Sequence, residues 1–317
     1  MQWIEQVRYR TKRPRGRAIV VGWFSFTEGG TTAGDILACT KVCDWLRKAG
    51  YSYDVALCDQ FLGGIRQDRV NPRDYSHFLF VCGPFSQDSL SESLLKRFAG
   101  CRRIGVNLSM LLPLKLWNPF DILLERDSSR RSRPDISFAT HTPRVPVIGV
   151  IPVEPIPEYP DRAMHDEINR AIRKLISRRE LSIIEIDTRL PGNLTGLRSP
   201  AEIESLVARM DVVLTTRLHG LVLALKNGVP AIAIDPHAGG SKVQQQAKAI
   251  GWPVVFNPED LNDRALMEAL NYCLSKEARR KACHCAQRAV AIVENEGKKF
   301  IASLLDLSTS RTGKRAC

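Results

Sequence analysis

The residues best placed by type and spacing to do chemistry are Thr215–Thr216–Arg217–Leu218–His219–Gly220, where an apolar strand-like run hands over to a helical pattern. A cation and an imidazole two positions apart at such a junction can face one ligand. Arginine offers a planar fork for a phosphate or carboxylate, the helix start adds unsatisfied N–H groups, and histidine exchanges protons near neutrality. Gly220 permits close approach of backbone or ligand. In the plainer alternative, Arg217 pairs with a nearby carboxylate and His219 caps the helix. A second candidate is Gly29–Gly30–Thr31–Thr32–Ala33–Gly34–Asp35, a glycine-rich loop able to receive a substrate or phosphate. It has neither the Walker A pattern nor G-x-G-x-x-G spacing, which disfavours nicotinamide and flavin chemistry. Asp35 is either a helix cap or a carboxylate that positions or deprotonates an acceptor hydroxyl. Cys283–His284–Cys285 has metal-binding residue types, but it falls in a helical pattern where consecutive positions diverge, so no metal site is expected.

These residues need rigid elements beneath them, and the sequence supplies short β-branched runs alternating with amphipathic stretches, the pattern of βαβ units. In the first half, strands are expected at 18–24, 53–57, 77–83, 102–110 and 121–125, with helices at 35–49 and 89–98. The second half predicts strands at 145–153, 181–187, 211–216, 231–235 and 253–256. Its helices are expected at 163–180, from Ser199, at 218–227 and at 242–250, followed by helices from about 260 to 307. The reading is two Rossmann-like domains with parallel sheets, 1–143 and 144–317, the final helices packing back toward the first domain. In such open sheets the ligand sits at the carboxyl ends of the strands.

A length of 317 residues is about twice that of a typical domain, and 44% hydrophobic content suffices for real cores. The formal charge is +12, of which residues 1–17 carry +5 and the last nine +3. The body is nearly balanced, which argues against a nucleic-acid-coating surface. The basic segment 1–17 reads as a mobile, solvated tail, and both ends offer peripheral contact with an anionic membrane surface. No apolar run spans a bilayer and no secretory leader is evident, so a cytoplasmic location is expected. Cys39, Cys43, Cys58 and Cys82 lie in apolar periodic segments, as free buried thiols would in a reducing compartment.

The segment TTRLHGLVLALKNGVPAIAID (215–235) resembles the C-terminal signature of polysaccharide pyruvyl transferases, in which a strand ending in [ST]-R-L-H-G/A leads to an apolar helix, G-[VI]-P and another strand. The Gly29-to-Asp35 loop resembles the family's N-terminal glycine-rich loop, and ERDSSRRSRPDISF (125–138) resembles its "RD … PD" stretch. The resemblance implies a GT-B-like pair of Rossmann domains facing a central cleft. It implies transfer of a pyruvyl group from phosphoenolpyruvate to a sugar of a polysaccharide or glycan precursor, lipid-linked acceptors included, with a pyruvate ketal as product and no further cofactor. It places Arg217, Leu218, Gly220, Arg126 and Lys242 at the donor, His219 as proton carrier, Asp35 as the acceptor-side carboxylate, and Gly29, Gly30, Thr31 and Gly34 in the acceptor-side loop. Two departures fall on the acceptor side: CGPFSQ (82–87) replaces a glycine-rich turn, and Thr32–Ala33 stand where asparagine is common. A GT-B glycosyltransferase using a nucleotide sugar, and a non-catalytic glycan- or anion-binding protein, are the competing readings.

Overall fold

The computed structural model describes residues 8–11, 15–24, 30–57, 64–153, 164–239 and 242–312, the side chains of Arg8 and of residues beyond 305 excepted. The chain divides into two units, Met1–Thr142 and Pro143–Cys317.

The first unit runs β1 (Arg8–Tyr9), β2 (Arg17–Val21), α1 (Ala33–Lys48), β3 (Ser52–Leu57), β4 (Ile65–Arg66), β5 (His77–Val81), β6 (Pro84–Phe85), α2 (Ser89–Arg97), β7 (Arg102–Val106), β8 (Ser109–Met110) and β9 (Ile122–Leu124). The main sheet has the order β1-β3-β2-β5-β7-β9, and only β1 is antiparallel to its neighbour. Its strands are apolar on both faces because both are covered: Ala18, Val20, Leu79 and Val81 enter one core with α1, while Ile19, Val21, Phe78 and Phe80 enter the other with α2. The 102–110 run predicted as one strand breaks after Val106. Asn107 takes a left-handed φ of 58°, and Ser109–Met110 then pairs with β6 in a separate two-stranded ribbon. Cys82, at φ 65°, ends β5 in the same way. Both are non-glycine residues held in a disfavoured conformation, which needs strong local support.

The described part of the basic segment, residues 8–11 and 15–17, is not the solvated tail expected from its composition. Tyr9 pairs with Tyr53 along the sheet edge, and Arg10 and Arg17 converge on Asp54 at 3.1 and 2.8 Å. Asp54 is 0% exposed, and it also accepts the Tyr75 hydroxyl at 3.0 Å. Burial, and then Asp54, push the Tyr75 phenol up to about 12. A buried carboxylate needs cations; part of the N-terminal positive charge answers that need.

The second unit runs β10 (Val147–Ile151), α3 (His165–Ser177), β11 (Ser182–Glu185), α4 (Pro200–Val207), β12 (Val212–Thr215), α5 (Leu218–Lys226), β13 (Ala231–Ile234), α6 (Lys242–Ile250), β14 (Val255–Phe256), α7 (Asp263–Cys273) and α8 (Lys276–Thr312). Its sheet is parallel throughout, in the order β11-β10-β12-β13-β14. The α4 start is legible in the sequence: Ser199 accepts the Glu202 N–H, Glu202 answers with its carboxylate on the Ser199 N–H, and Pro200 occupies the first helical position. The first turns of α8 bury Ala278, Ala282 and Cys285 in the same core as α5, α6 and α7. Both units are open α/β sheets of Rossmann-like form, and among the described residues no helix is long and apolar enough to cross a membrane.

Candidate active site

In the second unit the chain leaves β10 for one side of the sheet and returns to β12 on the other. That reversal opens a crevice at the carboxyl ends of β10 and β12. Arg217 stands there, as the residue before α5. Thr215 fixes its backbone, and Thr216 ties the junction to the end of β10. Thr215 Oγ1 accepts the Arg217 N–H at 3.0 Å and lies 2.9 Å from the Ile151 carbonyl oxygen, while Thr216 Oγ1 accepts the Val153 N–H at 2.8 Å. The Arg217 side chain is half-buried and reaches across β10, its Nε donating to the Pro152 carbonyl at 3.4 Å. Its guanidinium pairs with no carboxylate among the described residues. Two acids line the same recess: Asp187 is already taken by Arg189 at 3.0 Å, which holds its carboxyl down to about 2, and Glu185 forms no ion pair with Arg217.

His219 occupies the second position of α5, exposed and without a hydrogen-bond partner among the described residues. No side chain caps this helix, so its first N–H groups stay open at the strand–helix junction that carries His219, although His219 does not line the recess beside Arg217. Leu218 instead packs its side chain into the core. Gly220 is a packing requirement: a Cβ there would fall 2.2 Å from Thr215 Oγ1 and 3.1 Å from an Ile151 methyl. Gly220→Ala should therefore displace the threonine that holds Arg217, destabilising the second unit by about 1–3 kcal/mol. Thermal denaturation checks the stability loss, and weakened anion binding checks the displacement. Lys242 lies exposed in the first turn of α6 and makes no ion pair among the described residues.

A neighbouring pair was not singled out from sequence. His165 opens α3, His237 follows β13, and their rings stand 6.2 Å apart and nearly perpendicular. Fully buried Asp235 accepts the backbone N–H groups of His237 and Gln244, closing the loop between β13 and α6. Asp235-Pro236-His237 directly after an apolar strand was the available signal. His165 Nε2 is buried without a partner, and burial, then His237, lower its pKa. The folded imidazole is thus neutral, while the unfolded chain takes the proton first as pH falls. Stability is complete above the ordinary imidazole pKa of about 6.5 and declines below it. Denaturant midpoints should fall between about pH 7.5 and pH 5.5, and His165→Asn should shrink that fall.

In the first unit the corresponding strand ends carry a different chemistry. Arg126, just past β9, donates to Asp127 at 2.9 Å, Asp135 at 3.0 Å and Ser109 at 2.6 Å. Asp135 also accepts from Asn107 at 2.8 Å and from the Ser137 N–H; burial opposes ionisation, but these bonds hold its carboxyl down to about 2. The Asn107 amide further donates to Cys82 Sγ at 3.2 Å, so one side chain braces both left-handed residues. Burial pushes the Cys82 thiol up to about 11, with Asp35 and Asp135 acting in the same direction against Arg126. Asp35 is the helix cap of the plainer reading: its carboxylate accepts from the Thr32 N–H and hydroxyl at 2.9 and 2.7 Å. Thr31 bonds the Trp23 carbonyl, Gly30 and Gly34 are exposed, and Gly29 lies outside the described residues. The sequence reading also passed over Glu125, which is 1% exposed and anchors the arginine-rich turn through Arg130 at 2.8 Å. An acid closing an apolar strand before SSRRSR was its signal.

Strand, Thr-Thr-Arg-Leu-His-Gly, helix, Gly-Val-Pro and strand thus occur in the order and places that the residues suggested. Residues 120–237 match the family model of polysaccharide pyruvyl transferases. The match takes in Arg126, Asp127, Asp135 and the whole β12–α5–β13 segment, while residues 1–119 and 238–317 lie outside it. No curated protein sequence matches the chain. Similar solved structures include the spinosyn rhamnosyltransferase SpnG complexed with thymidine diphosphate, at 10% identity and a TM-score of 0.34 over 87% of this chain and 96% of that one. They also include a calicheamicin glycosyltransferase (13%, TM-score 0.33, 91% and 99%) and MurG of Acinetobacter baumannii (10%, 0.31, 86% and 94%). The β12–α5 junction that carries Arg217 and His219 lies within the matched residues.

Proposed function

We propose that this protein transfers a pyruvyl group from phosphoenolpyruvate to two hydroxyls of one sugar in a polysaccharide or glycan precursor. The observation that carries the reading is the occurrence, within the family match, of an Arg217 fork that pairs with no carboxylate and of a His219 with no hydrogen-bond partner, both among the described residues, at a helix start that no side chain caps. Phosphoenolpyruvate brings a carboxylate and a phosphate, and an arginine fork beside helix N–H groups suits such an anion. His219 delivers a proton to the methylene carbon, making C2 electrophilic. A sugar hydroxyl adds to C2 and returns a proton to His219, the bond from C2 to the bridging ester oxygen breaks with its electron pair on the departing phosphate, and a second hydroxyl of the sugar adds to C2 to close the ketal, its proton leaving with the phosphate. Donor-site electrostatics stabilise the charge that develops on the leaving phosphate. Lys242 adds a mobile cation to the same unit. Arg126 spends three of its five N–H groups on Asp127, Asp135 and Ser109, so it offers a donor only the remaining two.

Incubation with phosphoenolpyruvate and a panel of glycan acceptors tests the proposal. Phosphate release together with a pyruvate-sized mass gain on the acceptor is the expected result. Thermal stabilisation by nucleoside diphosphates, with none from phosphoenolpyruvate, would replace this reading by nucleotide-sugar transfer.

A further inference from the structure

A cluster of positive charge lies at the opposite end of the second sheet, where β10, β12 and β13 begin. A cavity of about 640 Å³ opens there, rimmed by Arg144, Arg179, Arg209, Lys276 and Arg279. None of the five pairs with a carboxylate among the described residues. Arg179 donates to the Asn271 amide oxygen at 2.8 Å, Arg279 reaches the Met210 carbonyl only at 3.5 Å, and Arg209 bonds the Ser205 carbonyl. Arg144 and Lys276 make no bond among the described residues. The one acid in the lining, Asp211, accepts the Val147 N–H at 2.8 Å and so belongs to the start of the sheet. The floor is apolar, formed by Pro146, Pro230 and Leu274.

Ordinary helix electrostatics accounts for part of this charge and not for the rest. Arg179 follows the carboxyl end of α3, where a cation is favoured. Lys276 and Arg279 sit at the start of α8, where the helix end is itself positive and a cation is disfavoured; the one acid of that turn, Glu277, stands against two cations and does not line the cavity. Such a placement is relieved by an anion in the cavity, which would meet the side-chain cations and the helix end together.

We propose that this cavity binds a phosphate-bearing anion, at a site separate from the Arg217 crevice. The cavity is of the size that holds small ligands, about 300–1,000 Å³. Cations around an apolar floor suit either a free diphosphate compound or the headgroup of an anionic lipid.

The test uses full-length protein carrying Arg217→Ala, so that the proposed donor site cannot report the binding. Inorganic pyrophosphate is titrated calorimetrically, and vesicles of phosphatidylglycerol are compared with vesicles of phosphatidylcholine by sedimentation. At least one anionic probe should bind and weaken as salt is raised. Binding of pyrophosphate assigns a free phosphate compound; binding of phosphatidylglycerol vesicles alone assigns a headgroup. Adding Lys276→Glu and Arg279→Glu places acids where the helix favours them, so affinity should fall about tenfold or more without a lower melting temperature. Arg144→Glu, which breaks no hydrogen bond among the described residues, should also weaken binding. Failure of both probes to bind, or unchanged affinity in both variants, overturns the proposal. Neither result bears on pyruvyl transfer, which is read from the protein with Arg217 intact.

Discussion

His219→Ala should lower pyruvyl transfer by about 10²–10⁴-fold, the range a positioned general acid supplies, while the melting temperature stays unchanged. The separation of the two effects follows from geometry. His219 is exposed on the first turn of α5 and bonds no described residue, so its removal leaves no cavity and no orphaned group. Arg217→Ala should behave differently. Its backbone N–H remains on Thr215, but the fork that would hold the donor is gone, so the larger change should appear in the apparent affinity for phosphoenolpyruvate. Steady-state kinetics on both variants, alongside thermal denaturation, checks the division. Wild-type turnover by His219→Ala would remove the imidazole from the mechanism.

Asp54→Ala should destabilise the first unit by about 3 kcal/mol, the expected scale for removing one member of a buried ionic cluster. Arg10 and Arg17 lose their shared partner, and the Tyr75 hydroxyl loses its acceptor inside the core. Both arginines are partly exposed and regain water, which keeps the loss at the lower end of the range. The visible consequence should be early release of β1, since its following residue, Arg10, is held by Asp54. Hydrogen exchange at the β1 and β3 amides measures this directly. Unchanged protection there would show that backbone pairing alone holds the strand.

The sequence made legible those features that depend on local pattern. Continuous apolar runs such as VVLTT and AIAID are buried strands because helices cover both faces of the sheet, and Ser199-Pro200-Ala201-Glu202 starts a helix because its capping groups are all within one turn. Arg217 and His219 were legible for the same reason: a strand–helix junction can be read from a few consecutive residues. Features that depend on distant partners were not. Arg10 and Arg17 look like solvated charge until Asp54 is placed between them, 44 and 37 positions away. Asn107 reads as the middle of a strand until its amide is seen to brace Cys82 and Asp135. His165 and His237 belong to separate elements and meet only when the strand ends converge. Lys242 and Asp35 show the converse. Their types and positions fit a ligand site, yet Asp35 is occupied in capping α1 and Lys242 is open to solvent.

Tyr9 on Tyr53 has a consequence for self-association. A parallel sheet ends in a row of unpaired N–H and C=O groups, and an apolar edge of that kind recruits strands from other molecules. Here β3 is entirely buried, and two short segments divide its outer side: β1 pairs with Tyr53 and Asp54, and β4 with Ala56 and Leu57. Neither segment is long enough to offer a continuous new edge of its own. A chain shortened to begin at Gly16, where the alternating strand–helix pattern starts, would keep every parallel strand and still expose half of β3 together with the carboxylate that Arg10 covers. Such a shortened protein is expected to aggregate through that edge, the backbone that β1 now covers.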